Sequence, residues 1–307
     1  MKKNKFDRFG VNVALILLLV STLIALPTKR LGFLQKPSTL EYILFDANEI
    51  WCYTGNNGEI VTSSVTGNSG LYWPGGTDRT AVFQSGLWFV GMVNGEVRSA
   101  ASEYASEFQP GKIIYDQATK VGYADNSSLA RYQVWSINKG DSPDPASPNY
   151  NREYALWPVG DGAPAHDGEY FTDANSNGIY DDEEVFEDYN RDAVYNGPDS
   201  LLVEGEDPPL LIGDQVHWSV FNDYDATVHA ALWSTQPLGI EIQSTVFGFD
   251  RADPLGDVMF IKWLIINKSG QTITDAYLSM WSDPDVGQAN DDYVGCDTNL
   301  SVGYCYN

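Results

Sequence analysis

The sequence predicts an all-β chain, an antiparallel β-sandwich interrupted by an inserted acidic segment. Three observations predict it. Short apolar runs alternate in strand fashion and are separated by Asn-Gly type turns. Helical periodicity is nearly absent, apart from a short turn expected near Ser102–Phe108. Between Trp157-Pro158 and Pro208-Pro209 the composition changes abruptly: from Asp161 to Asp225 there are eighteen acidic residues and one base, Arg191. At 307 residues the chain can bury one large core or two modest ones.

Residues 1–27 read as a signal peptide. Lys2, Lys3, Lys5 and Arg8 precede the uncharged run VNVALILLLVSTLIAL, Val11 to Leu26. Sixteen residues fall short of the roughly 20 that span a bilayer, so a signal-peptide core fits better. An uncleaved membrane anchor is the alternative, since no A-x-A site precedes Thr28. Either way the rest is expected outside the cytoplasm, secreted or at the cell surface. Residues 28–46 read as a spacer.

Residues 47–157 form an N-terminal β region. Trp51 and Tyr53 sit in a short strand followed by NNG and TGNSG. Ala81 to Ser102 reads as two strands joined at Val93-Asn94-Gly95-Glu96, and Tyr132 to Ile137 as another. Three prolines in Ser142–Pro148 interrupt the sheet. After the insertion, residues 213–307 carry four strong strands: Gln215–Phe221, Gly239–Phe249, Val258–Asn267 and Thr272–Trp281. Asp253-Pro254-Leu255-Gly256-Asp257 joins the middle pair, and Asn267-Lys268-Ser269-Gly270 the last pair, in antiparallel hairpins with one apolar face. After Trp281 the chain reads as polar loop without a closing strand, as if it were a fragment of something longer.

The insertion, residues 158–212, carries the clearest motif. From Asp173 it reads DANSNGIYDDEEVFEDYNRDAVYNGPD. Its first twelve residues fit the calcium-loop pattern D-x-N-x-N-G-x5-E. Calcium takes six to eight oxygens at about 2.3–2.6 Å. Asp173, Asn175 and Asn177 would converge on one ion, and Gly178 would allow the sharp turn. Ile179 would give its carbonyl, Asp181 a carboxylate or a bridging water, and Glu184 two oxygens. A weaker copy follows fifteen residues on: Asp188, Asn190, Asp192, the carbonyl of Val194, and Asp199, with Ala193 at the glycine position. Tyr180 and Tyr195 repeat at the same place in both. EEVFED is too short for an exiting helix, so a bare EF-hand-like loop is expected. Two carboxylates about 4 Å apart repel by roughly 4 kcal/mol at an effective dielectric near 20, so the segment is either open to solvent or closed around metal. An unstructured acidic linker is the alternative, but such tracts are poor in aromatics, and Tyr170, Phe171, Phe186 and Tyr189 are interleaved here.

Asp283, Asp285, Asp291, Asp292 and Asp297 could form a further cation site, or simply a polar turn. Cys296 and Cys305 could close a disulfide worth roughly 2–3 kcal/mol, leaving Cys52 over; three unrelated thiols are the alternative. From Pro37 on there are 41 acids and 11 bases, a net charge of about −30. No basic face is visible, so nucleic-acid binding is excluded. No zincin, nucleophile-elbow, dinucleotide or P-loop motif occurs, and no catalytic residue can be named. His217, beside Trp218, reads as a core residue; His229 has Asp223 and Asp225 nearby but no nucleophile. Trp73, Trp88, Trp135, Trp157, Trp218 and Trp233 are either sugar-stacking surfaces or core.

Four stretches together carry a resemblance: Gly70–Ile113, the calcium stretch, LGIEIQSTVFGFDR (Leu238–Arg251) and Met280–Asn307. The set resembles the N-terminal region of large secreted proteins of Bacteroidota-type bacteria, many of which end in a type IX secretion sorting domain. That family is largely uncharacterised. The resemblance implies a cell-surface or extracellular location and a longer parent chain; the sorting domain itself is not in this chain. The expected function is therefore a calcium-binding surface or extracellular protein with a structural or adhesive role. The alternative is a carbohydrate-binding or polysaccharide-processing protein whose catalytic part lies elsewhere. Expected partners are calcium and surface glycans or other surface proteins, with membrane contact only through the N-terminal segment.

Overall fold

The computed structural model describes residues 40–61, 69–116, 121–129, 132–142, 146–155, 158–159, 163–164, 212–288 and 290–307. Among them half of the residues lie in strands, which pair antiparallel into sheets, and helix is scarce. The first half holds β1 (Tyr42–Phe45), β2 (Trp51–Gly55), β3 (Glu59–Ile60), β4 (Leu71–Tyr72), β5 (Thr80–Val93) and β6 (Glu96–Ala101). Next come β7 (Gln109–Pro110), β8 (Ile113–Asp116), β9 (Val121–Ala124), β10 (Trp135–Asn138), helix α1 (Arg152–Ala155), β11 (Pro158–Val159) and β12 (Ala163–Pro164). The second half holds β13 (Gln215–Asn222), helix α2 (Ala226–His229), β14 (Ile240–Gly248), β15 (Met259–Asn267), β16 (Ile273–Pro284), β17 (Tyr293–Asp297) and β18 (Val302–Tyr306).

Two sheets dominate. One runs β1-β2-β3-β5-β16, with β4 and β6 attached to β5. The other runs β10-β13-β14-β15, with β7 attached to β13. Both draw strands from before and after the acidic insertion. Their facing sides share apolar clusters. Leu87, Phe89 and Val93 of the first sheet pack with Phe221, Ile240 and Ile242 of the second. Phe45, Cys52 and Ile60 pack with Val246, Met259 and Ile261. The other face of β13 points Val216, Trp218 and Val220 into a second core with Tyr132, Trp135, Ile137 and Tyr154. β13 is therefore covered on both faces, and all eight of its residues are buried.

The strand positions follow the alternation closely. The Asn94-Gly95 turn has φ of 53° and 82°, the left-handed pair that two-residue hairpins require. Four expectations change. Asn267–Gly270 does not close a hairpin between β15 and β16. β16 leaves its predecessor and pairs antiparallel with β5 in the other sheet, Ile273 opposite Val93 through Pro284 opposite Val82. The turn is held to β14 instead: Lys268 donates its backbone N–H to Gly239 (2.9 Å) and its ammonium to Glu241 (2.8 Å). The strand expected from Tyr132 begins at Trp135. The turn expected near Ser102–Phe108 is a tight bridge, Ser102 opposite Ser106, rather than helix. The tail after Trp281 is not all loop: β17 and β18 form a hairpin whose turn is capped by Asp297, accepting from the N–H groups of Asn299 and Leu300.

Candidate functional site

Both expected calcium loops lie outside the described residues: Asp173, Asn175, Asn177, Ile179, Asp181 and Glu184, and then Asp188, Asn190, Asp192, Val194 and Asp199. The framework at the C-terminal end of that segment is described, and it is firmly fixed. Gly213 has φ +82°, and a Cβ there would sit 2.2 Å from the carbonyl oxygen of Gly248. Asp214 donates its N–H to the same carbonyl (2.8 Å) and accepts from the N–H of Asp250 (2.9 Å). Lys139 donates to its other carboxylate oxygen at 2.6 Å, and that bond holds the Asp214 carboxyl below its usual range. Beside this anchor lies a cavity of about 210 Å³, lined in part by Asn138, Asp141, Tyr154 and Gln215. Its polar groups are engaged. Gln215 donates to Asp46 (2.8 Å) and Asn138 (3.0 Å), and Asp141 accepts from Asn138 N–H (2.8 Å) and Asn151 (2.7 Å).

The C-terminal aspartates have separate tasks. Asp283 accepts from the Tyr104 hydroxyl at 2.8 Å, a bond that with partial burial pushes that phenol up to about 12. Asp285 accepts from Ser69 (2.6 Å), Asp292 from the N–H of Val286 (3.1 Å), and Asp297 caps its turn, while Asp291 is exposed. Among the described residues no three His, Cys, Asp or Glu side chains converge as a metal site. The disulfide is not formed: Cys296 and Cys305 are free. The hairpin register sets Cys296 opposite Gly303 and Cys305 opposite Val294. That makes the two cysteines diagonal neighbours, a relation that spaces residues by about 7–8 Å with their Cβ atoms somewhat closer, whereas a disulfide needs Cβ atoms about 3.5–4.5 Å apart. Cys52 is buried against the Met259 sulfur at 3.3 Å, and burial pushes its thiol up to about 12.

His217 is a core residue. It lies on the face of β13 turned toward the other sheet, 1 % exposed, with Nδ1 in a 2.8 Å hydrogen bond to the Thr54 hydroxyl and Phe45 edge-on at 5.6 Å. Its Nε2 has no partner, and burial holds the imidazole down to about 3. His229, held down to about 4 mainly by burial, faces Asp223 at 3.7 Å and bonds Thr235 at 3.2 Å.

The sequence did not mark the buried acids. Asp223 is fully buried and accepts from the N–H groups of Leu238 (2.6 Å), Gly239 (2.9 Å) and Ile240 (2.8 Å). Burial pushes its carboxyl up to about 7 against those bonds. Glu107 likewise accepts from Ala101, Leu232 and Trp233. Both acids tie loops to sheet ends and touch no open cleft, so the geometry gives them a structural task. Of the six candidate tryptophans, Trp135 and Trp218 are core, Trp88 is half-buried edge-on to Trp233, and Trp73 and Trp233 are exposed. Trp157 lies outside the described residues.

Comparison with known proteins adds no assignment: no family model, no curated protein and no solved structure matches this chain.

Proposed function

We propose that this chain is an exported, calcium-stabilised β-sandwich module of the cell surface or extracellular space, structural or adhesive in role. The observation that carries the reading is the loop spacing from Asp173 to Glu184, with its second copy to Asp199. Six oxygen donors at calcium-loop positions in a stretch almost free of bases need a cation to close. Two antiparallel sheets that share apolar clusters support the sandwich part of this reading. The anchor at Gly213 and Asp214 gives the insertion a rigid attachment. The N-terminal signal or anchor supports export.

Calorimetric titration of the intact chain with calcium is expected to show one or two ions bound. Asp173→Ala or Glu184→Gln should abolish the tighter site, while Asp291→Ala should change nothing. Absence of binding heat in the wild type would remove the calcium reading.

Carbohydrate recognition is a second reading, favoured by one feature. Tyr293, Tyr304 and Tyr306 lie on one face of the C-terminal hairpin, exposed, with successive ring planes 24° and 31° apart. The ring of Tyr304 lies across Gly295, where a Cβ would come within 2.4 Å of it. Exposed tyrosine faces suit the apolar side of a sugar ring.

A further inference from the structure

β15 and β16 are successive in the chain, yet each ends its own sheet. The short 268–272 turn carries one into the other, so the two free edges lie together along one side of the two-sheet stack. Trp263 and Ile265 of β15 and Ile273 of β16 border the same core cluster. Among the described residues nothing covers the core along that side. Leu278 lies opposite Phe89 and Met280 opposite Leu87, so all four share the face turned toward the other sheet. Leu87 and Phe89 are buried, at 0 % and 9 % exposure, whereas Leu278 is 51 % exposed and Met280 47 %.

An edge of this kind normally carries protection, such as an inward charge, a proline or a bulge, because its unpaired N–H and C=O groups accept a further strand. β16 has register shifts only near its two ends, at Thr274/Tyr277 and Asp283/Pro284. From Ala276 to Ser282 it reads AYLSMWS, with no charge and no proline.

We infer that the β16 edge is a docking site for an extended strand of another polypeptide, with apolar residues at alternate positions and basic residues at its ends. The bare edge supplies main-chain hydrogen bonds, and the open inner face beside Leu278 and Met280 takes alternate apolar side chains. Charge sets the ends. Asp275 and Asp283 flank the uncharged stretch, and from Ile273 to Asn307 there are six aspartates and no base. The same charges disfavour a second copy. Antiparallel self-pairing centred on Ser279 would set Asp275 of each copy opposite Asp283 of the other, and like charges directly opposite destabilise a ladder.

The probe is a synthetic peptide in which valine alternates with threonine between lysine pairs, titrated into the intact wild-type chain. Binding is expected, with amide shifts in the nuclear magnetic resonance spectrum concentrated on β16. The double variant Leu278→Thr/Met280→Thr, at half-exposed positions, should bind about tenfold more weakly through lost apolar contact. A peptide with glutamate pairs in place of the lysines should bind more weakly still. No binding by the folded wild type, or shifts elsewhere than β16, would overturn the site. Equal binding of the two peptides would overturn the basic partner. A dimer in sedimentation that the double variant abolishes would assign the edge to a second copy instead.

Discussion

Asp223→Ala is expected to lower the unfolding free energy by about 3–9 kcal/mol, because it strands three buried N–H donors that each cost roughly 1–3 kcal/mol unpaired. The donors are those of Leu238, Gly239 and Ile240, where the chain turns into β14, the strand between β13 and β15. Asp223 is 0 % exposed, so water does not replace the lost oxygens without opening the core. Against a typical total of about 5–15 kcal/mol, this loss puts folding itself at risk. Asp223→Asn keeps one acceptor oxygen and should lose about half as much. Urea unfolding at neutral pH measures both, and the slope against denaturant should stay the same. A loss below about 1 kcal/mol for the alanine variant would mean that those N–H groups find other partners.

The second large effect is acid sensitivity through His217. Its folded imidazole is held down to about 3 from an ordinary 6.5. The folded state therefore keeps this ring neutral while the unfolded chain takes up a proton below 6.5. The stability it contributes is whole above pH 6.5 and is lost as pH falls toward 3. Each pH unit well inside that window corresponds to about 1.4 kcal/mol, so the loss between pH 6.5 and 4.5 is on the order of 2 kcal/mol. His217→Gln keeps a hydrogen-bonding group for Thr54 but does not titrate. Its stability should fall less steeply over that window, by about the same 1.4 kcal/mol per unit. His229 and Asp223 titrate in both proteins, and Asp223, pushed up rather than down, opposes the histidines below pH 7. The difference between the two pH profiles isolates His217. Parallel profiles would place its proton uptake outside the core.

The sequence carried the strands well and their partners poorly, for a physical reason. Alternation reports which residues share a face. It gave β13 to β15 almost to the residue and β16 short by three residues at its end, and Asn94-Gly95 announced its hairpin because its left-handed backbone fits a two-residue turn. Which strand lies alongside is a long-range matter. Nothing local to Asn267–Gly270 shows that β16 crosses to β5, whose free edge lies some 190 residues earlier in the chain. The buried acids were hidden in the same way. Asp223 looks like one more member of an acidic tract, yet its donors come from fifteen to seventeen residues downstream. The calcium-loop pattern could be read because the ligands it proposes are local, set by spacing within twelve residues. The five C-terminal aspartates had no such spacing, and each serves its own neighbour or stays exposed.

Thermal melting of the chain in millimolar calcium, and again in excess chelator, tests the central claim most directly. A ligand that binds only the folded state at a hundred times its Kd adds about 2.7 kcal/mol. The account predicts a melting temperature several degrees higher with calcium, and no such difference in Asp173→Ala. Identical melting of the wild type in both conditions would contradict it and leave the acidic stretch as a solvated linker.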